Sequence, residues 1–103
     1  MKWIGLFLDS AEAELIEAIA HYNSESEGLG YEFAAEVRRT IERIVQYPQA
    51  WVSLSKRTRR YRTNRFPYGI LYQVRGDMIL IVAVMHQHRD PESWKTRLSQ
   101  KKR

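Results

Sequence analysis

Two stretches in the first half of this 103-residue chain carry apolar residues at helical spacing. The first extends to about Ser24 and has Asp9 or Ser10 as capping residue, followed by glutamates that suit the positive end of a helix dipole. The second extends from Tyr31 to Tyr47 and is followed by a proline, which ends a helix. A polar loop with two glycines separates the stretches. The pattern therefore predicts a helical hairpin.

Shorter apolar runs precede and follow this hairpin and predict strands. Residues 3–8 form a continuous apolar run, which is typical of a strand covered on both faces. Residues 59–66, 68–74 and 78–85 are rich in β-branched and aromatic residues or alternate with a period of two. The last two of these runs are joined by Arg75-Gly76-Asp77, which is a natural tight turn.

The remaining segments show no clear period. Residues 48–58 are predicted to be a connector, and Pro91, Trp94 and Leu98 suggest a short C-terminal turn or helix. We therefore expect an α+β fold with the order β-α-α-β-β-β, in which the hairpin packs on an antiparallel-rich sheet. A single domain is expected over residues 1–98, with residues 99–103 forming a basic and disordered tail.

Charge is unevenly divided along the chain. Residues 1–51 carry four basic and nine acidic residues, a net charge of −5. Residues 52–103 carry thirteen basic and three acidic residues, a net charge of +10. Such an asymmetry favours an anionic partner, either nucleic acid or an acidic protein. The alternative is a solvated surface with a basic tail.

Composition excludes or disfavours several other classes of protein and site. The chain has no cysteine, which excludes disulfides and thiolate metal sites. Its apolar runs are shorter than the roughly 20 residues of a membrane span, and we expect a soluble cytoplasmic protein. His86 and His88 lie on the same side of a strand end, a metal-like arrangement, but the sequence offers no third ligand beside them. We expect neither a metal nor a cofactor.

The arginines of the strand predicted over residues 59–66 are the leading candidates for function. The period of two places Arg60 and Arg62 on one face. Together with Arg59 and Arg65 they form a run of four cations without an acidic residue, which favours an anionic partner. Tyr68 and Tyr72 share one face of the next strand. Trp94 either packs over the sheet or stacks on a nucleic-acid base.

These segments together resemble the RelE/ParE superfamily of bacterial toxins, often called plasmid stabilisation proteins. The resemblance covers about residues 2–98. It rests on the element order and on four pieces of sequence: Gly28-Leu29-Gly30 before the second helix, Pro48 after it, Arg65-Phe66-Pro67-Tyr68-x-Ile70-x-Tyr72, and His86-x-x-Arg89-Asp90-Pro91-x-x-Trp94. It implies the toxin half of a type II toxin–antitoxin pair.

Two toxin activities occur in this superfamily. RelE-like members cut mRNA in the ribosomal A site without a metal, and the resemblance places their basic working positions on Arg60, Arg62 and Arg89. Their third-strand arginine falls on Gly69, and their C-terminal tyrosine falls nearest Trp94, which cannot exchange a proton. One missing electrostatic donor commonly costs about 10²–10³ in rate.

The resemblance therefore favours the ParE-like activity, which poisons DNA gyrase without an active site of its own. An mRNA endonuclease, in which His86 or His88 supplies acid–base chemistry, is the alternative. A non-toxic, repurposed member is a third. Any of them implies a small acidic antitoxin, partly disordered before it binds. The residues expected to bind antitoxin or target are Arg59, Arg60, Arg62, Arg65, Tyr68, Arg89 and Trp94.

Overall fold

A computed structural model describes residues 4–87 of the chain. Two helices and five strands follow one another in the order β1 (Ile4–Phe7), α1 (Asp9–Glu25), α2 (Leu29–Gln46), β2 (Val52–Ser53), β3 (Thr58–Arg62), β4 (Tyr68–Arg75) and β5 (Met78–His86). The expected α+β fold and helical hairpin are confirmed. No helix in the described part of the chain is long and apolar enough to cross a membrane.

The five strands form one sheet in the order β1-β5-β4-β3-β2. β1 runs parallel to β5, and the other neighbours are antiparallel. The β4–β5 turn places Gly76 at φ +64°, a conformation that glycine adopts without strain. The two long central strands are therefore joined as the sequence predicted.

Both helices pack on one face of the sheet around an aromatic cluster. Tyr22 of α1 and Phe33 of α2 lie against Tyr68 of β4, with ring centroids 6.2 and 4.9 Å from its ring. Phe66 packs on the same two helix residues. Edge-to-face and tilted contacts of this kind add to the apolar burial that holds helices on a sheet.

The two helices approach each other closely at Gly30. A side chain at this position would place its Cβ 2.2 Å from the Ile19 carbonyl oxygen. The Gly30 amide also donates a 2.7 Å hydrogen bond to Oδ1 of Asn23. Gly30 therefore lies inside α2, which begins at Leu29, two residues before the start that its apolar period indicated.

Three local expectations are wrong. Leu8, not Asp9 or Ser10, is the cap residue of α1, and no side chain makes a capping hydrogen bond there. β1 is not covered on both faces, because Leu6 is 47% exposed. The connector contains the two-residue strand β2, which is too short to show a period.

The strand predicted over residues 59–66 also ends early, at Arg62. Thr63 explains this, because its hydroxyl donates to the Phe66 carbonyl oxygen at 2.6 Å and so stabilises a bend. The arginines of the predicted strand therefore do not all lie on β3. The expected C-terminal turn or helix and the basic tail lie outside the described residues.

Candidate functional site

Arg60 and Arg62 extend from the face of the sheet that the helices leave uncovered. They pair across β3 and β4 with Leu71 and Gly69, whereas the intervening Tyr61 points to the helix side with Ile70. The two arginines border a cavity of about 130 Å³. We call this cavity the arginine cavity; its lining consists of Arg60, Arg62, Tyr68, Gly69, Leu71, Met85, His86 and Gln87.

Gly69 gives this cavity its shape. A Cβ at Gly69 would lie 3.1 Å from Cδ and 3.2 Å from Cγ of Arg60, so the aliphatic part of Arg60 lies over the glycine. A larger residue at this position would have to displace the Arg60 side chain. The position at which the resemblance expects a third-strand arginine therefore carries no side chain, and Arg60 occupies the adjacent space.

Two apolar residues of the cavity were missed at the sequence level. Leu71 and Met85 line it, and both are buried. The signal was available for Leu71, because the period of two along β4 places it on the same face as Gly69. Arg60 and Arg62 thus lie over a floor of buried apolar side chains, and their guanidiniums are the groups that can meet an anionic partner.

Arg59 lies apart from this pair, on the helix side of the sheet. Its guanidinium donates to the Trp51 carbonyl oxygen at 2.8 Å and to Oε1 of Gln49 at 3.2 Å. It also lies close to Tyr72, whose hydroxyl donates to the Pro48 carbonyl oxygen at 2.7 Å. Burial raises the pKa of Tyr72 to about 12, although the positive charge of Arg59 acts in the opposite direction.

Arg65 has an acidic partner within the fold, although the run of four cations itself contains no acidic residue. Its guanidinium lies 3.0 Å from Oε1 of Glu32 in α2. The buried carboxylate of Glu36, one helical turn later, accepts hydrogen bonds from the backbone amides of Asn64 and Arg65. Both acids are far from the bend in sequence, so only the fold brings them to it.

His86 lies at the junction of two surfaces. It borders the arginine cavity and also a groove between α1 and β5 that contains Glu14, Glu17 and His21. Its ring lies against Tyr68, with centroids 5.3 Å apart. Sequence reasoning found no carboxylates near His86, but α1 supplies two.

Metal binding finds no support in this part of the chain, since residues 4–87 contain no group of three or more His, Asp or Glu that could hold a metal ion. His88, Arg89 and Trp94, which the sequence also indicated, lie outside the described residues. The described candidates are therefore divided among three places: Arg60 and Arg62 at the arginine cavity, with Tyr68 and His86 at its margin; Arg59 on the helix side; and Arg65 paired with α2.

Comparisons with known proteins agree with this architecture. Among solved structures, the chain is similar to one described as "Chromosomal ParDE TA system from P. aeruginosa", with a TM-score of 0.71. The alignment covers 82% of this chain and 95% of that one at 17% identity, which shows a shared fold. A search of curated protein sequences found no match. The profile of the family described as "ParE toxin of type II toxin-antitoxin system, parDE" matches residues 6–91, most of the chain, and the chain therefore belongs to this toxin family.

Proposed function

We propose that this ParE-family toxin inhibits growth by poisoning DNA gyrase, and that an acidic, partly disordered antitoxin neutralises it. The observation that carries the proposal is the composition of the arginine cavity. Two cations, Arg60 and Arg62, have no carboxylate within 4 Å among residues 4–87, and they lie beside Leu71 and Met85. Cations without an acidic partner in the fold favour binding of an acidic protein segment.

The same cavity is poorly suited to cutting RNA. Metal-free cleavage at a phosphate needs cations placed around the charge that develops in the transition state. The third-strand position is Gly69, and the stem of Arg60 lies over it. Absence of one such donor lowers a rate by about 10²–10³, whereas inhibition by binding does not require it.

An mRNA endonuclease remains the second candidate because of Tyr68 and His86. Both lie at the margin of the arginine cavity, and a phenol or an imidazole can transfer a proton to or from a ribose hydroxyl. If this activity is present, Arg89→Ala should reduce A-site cleavage by orders of magnitude, and His86→Ala should change its pH profile.

The test begins with expression of the chain with and without its neighbouring antitoxin. We expect growth arrest by the toxin alone and rescue by the antitoxin. Arg60→Ser combined with Arg62→Ser should abolish the arrest, whereas Arg38→Ser combined with Arg43→Ser, which removes the same charge from exposed positions of α2, should leave it unchanged. Normal growth at high soluble expression of the parent chain would contradict the proposal.

Purified protein then separates the two targets. We expect it to block supercoiling by gyrase or to trap cleaved DNA on gyrase, and to leave mRNA intact on programmed ribosomes. Cleavage of mRNA in the A site without an effect on gyrase would select the endonuclease. A protein that does neither, yet binds its antitoxin tightly, would be a repurposed member.

A further inference from the structure

A second group of cations lies at the end of the sheet where the β2–β3 connection meets the β4–β5 turn. Lys56, Arg57, Arg59 and Arg75 line one open pocket of about 370 Å³. We call it the turn pocket; Gln49, Val74 and Gly76 complete its lining. It shares no residue with the arginine cavity.

Neutral groups orient two of these four cations. Arg59 donates to the Trp51 carbonyl and the Gln49 side chain, as described above. Arg75 donates from Nε and Nη2 to Oε1 of Gln73, at 3.1 and 2.7 Å. A neutral acceptor fixes the direction of a guanidinium without cancelling its charge, so both arginines keep their full attraction for an anion.

No acidic residue compensates the pocket within residues 4–87. None of its four cations has a carboxylate oxygen within 4 Å, and this includes the neighbouring Asp77. Four like charges at one surface repel one another, and an anion that enters the pocket relieves this repulsion. An anionic ligand in the pocket is therefore expected to be attracted by all four cations.

The lining also indicates which kind of anion fits. Among the described residues Val74 is the single apolar residue of the lining, and polar atoms make up the larger part of its exposed surface, which favours a ligand bound by charge over one bound by apolar side chains. A phosphate group needs only charge and N–H donors, and arginine forks match its oxygens. Gly76 keeps the turn free of a side chain, and nothing lies within 4 Å of where its Cβ would be.

We propose that the turn pocket binds phosphates of a nucleic-acid backbone, as a second anion site distinct from the arginine cavity. Contacts to phosphate carry no base preference, so binding is independent of sequence and depends strongly on salt. The proposal does not require gyrase to be the target, because the contact is made to the nucleic acid itself.

The test measures binding of the full-length chain to a short labelled DNA duplex by fluorescence anisotropy over a range of salt concentrations. Arg57→Gln combined with Arg75→Gln should weaken binding by roughly tenfold or more near 0.1 M salt. The negative slope of log K against log salt should become shallower by about 1.8, because two phosphate contacts are lost. Lys56→Gln, a single change at an exposed residue, should make this slope shallower by about 0.9.

Net charge alone is excluded by a matched control. Arg38→Gln combined with Arg43→Gln removes the same charge from exposed positions of α2 and should leave affinity and slope nearly unchanged. An equal loss with both pairs would overturn the proposal, as would an unchanged slope in Lys56→Gln and in a folded Arg57→Gln, Arg75→Gln protein. Folding of each variant is checked by its thermal unfolding.

Competitors separate the possible anions. A polyglutamate peptide that competes as well as unlabelled DNA, and loses this ability in the same variants, would show a carboxylate site and overturn the proposal. Growth arrest is scored separately, so failure of the gyrase mechanism does not affect this result.

Discussion

The two ends of the sheet hold arginines in opposite ways. At the β3–β4 bend, α2 supplies carboxylates: Glu32 lies 3.0 Å from Arg65, and buried Glu36 accepts the backbone amides of the bend. At the turn pocket, Arg59 and Arg75 are oriented by carbonyl and amide oxygens that carry no charge. The acids of α2 thus hold Arg65 and the backbone of the bend, whereas Arg59 and Arg75 at the turn pocket keep their charge.

This difference shows that a count of cations does not locate a binding surface. Arg65 and Arg59 belong to the same basic run in the sequence, but only Arg59 has no acidic partner within the described residues. The identity of the acceptor decides whether a guanidinium is available to a ligand. A neutral acceptor preserves the charge, while a carboxylate at 3 Å offsets part of it.

The largest expected effect comes from removing the carboxylate that holds the bend. Glu36→Ala should lower the free energy of unfolding by roughly 3 kcal/mol, because it leaves two backbone amides of the bend without an acceptor. Denaturant unfolding measures this loss.

Glu32→Ala is the matched control on the same helix. Its carboxylate and the guanidinium of Arg65 are both more than half exposed, so the loss should stay below about 1 kcal/mol. If Glu32→Ala costs as much as Glu36→Ala, the bend is held by the surface ion pair and not by the buried carboxylate.

A smaller effect is expected at the other end, through Tyr72. The pKa of Tyr72 is raised from 10.0 to about 12 in the folded protein, so its stabilising contribution is complete below pH 10 and is lost as pH rises towards 12. Tyr72→Phe should lose about 1 kcal/mol at neutral pH with the hydrogen bond to Pro48, and should lose less additional stability than the parent in this alkaline window.

Unfolding midpoints of both proteins, measured from neutral pH to about pH 12, test this sign. Some alkaline dependence should remain in the variant, because burial and the charges of Tyr68 and Glu25 also raise the pKa of Tyr22. Identical pH dependence in Tyr72→Phe and the parent would contradict the assignment.

The smallest effect is expected when the turn pocket receives a carboxylate, as Arg65 has from Glu32 at the bend. Gln49→Glu replaces the neutral acceptor of Arg59 with a carboxylate. The negative slope of log K for DNA binding against log salt should become shallower by about 0.9. The free energy of unfolding should change little, because Gln49 is exposed. Ala35→Glu, which adds the same charge at an exposed site of α2, should leave the slope unchanged.

The elements that could be predicted from the sequence are those with a period or a strong turn signal. α2 and β5 are long enough to show their spacing, and the tight turn at Gly76 was expected from its glycine. β2 has two residues and no period. β3 was predicted too long because Asn64 continues its alternation, although Thr63 forms the bend.

The candidate site was predictable only where it depends on a single strand. Alternation along β3 places Arg60 and Arg62 together, as expected. The pairing of Arg65 with Glu32 and the meeting of Arg57 with Arg75 join different elements, so they depend on how helix and strands pack. No local pattern reports such distant contacts.

The parallel pairing of β1 with β5 has a consequence for synthesis of the chain. Ile4 pairs with Met78, so β1 finds its neighbour only when nearly all of the described chain has been made. At roughly 5–20 residues per second, this interval lasts several seconds. The sheet therefore closes only after Met78–Ile81 have been made, and a chain truncated before β5 lacks the finished toxin surface.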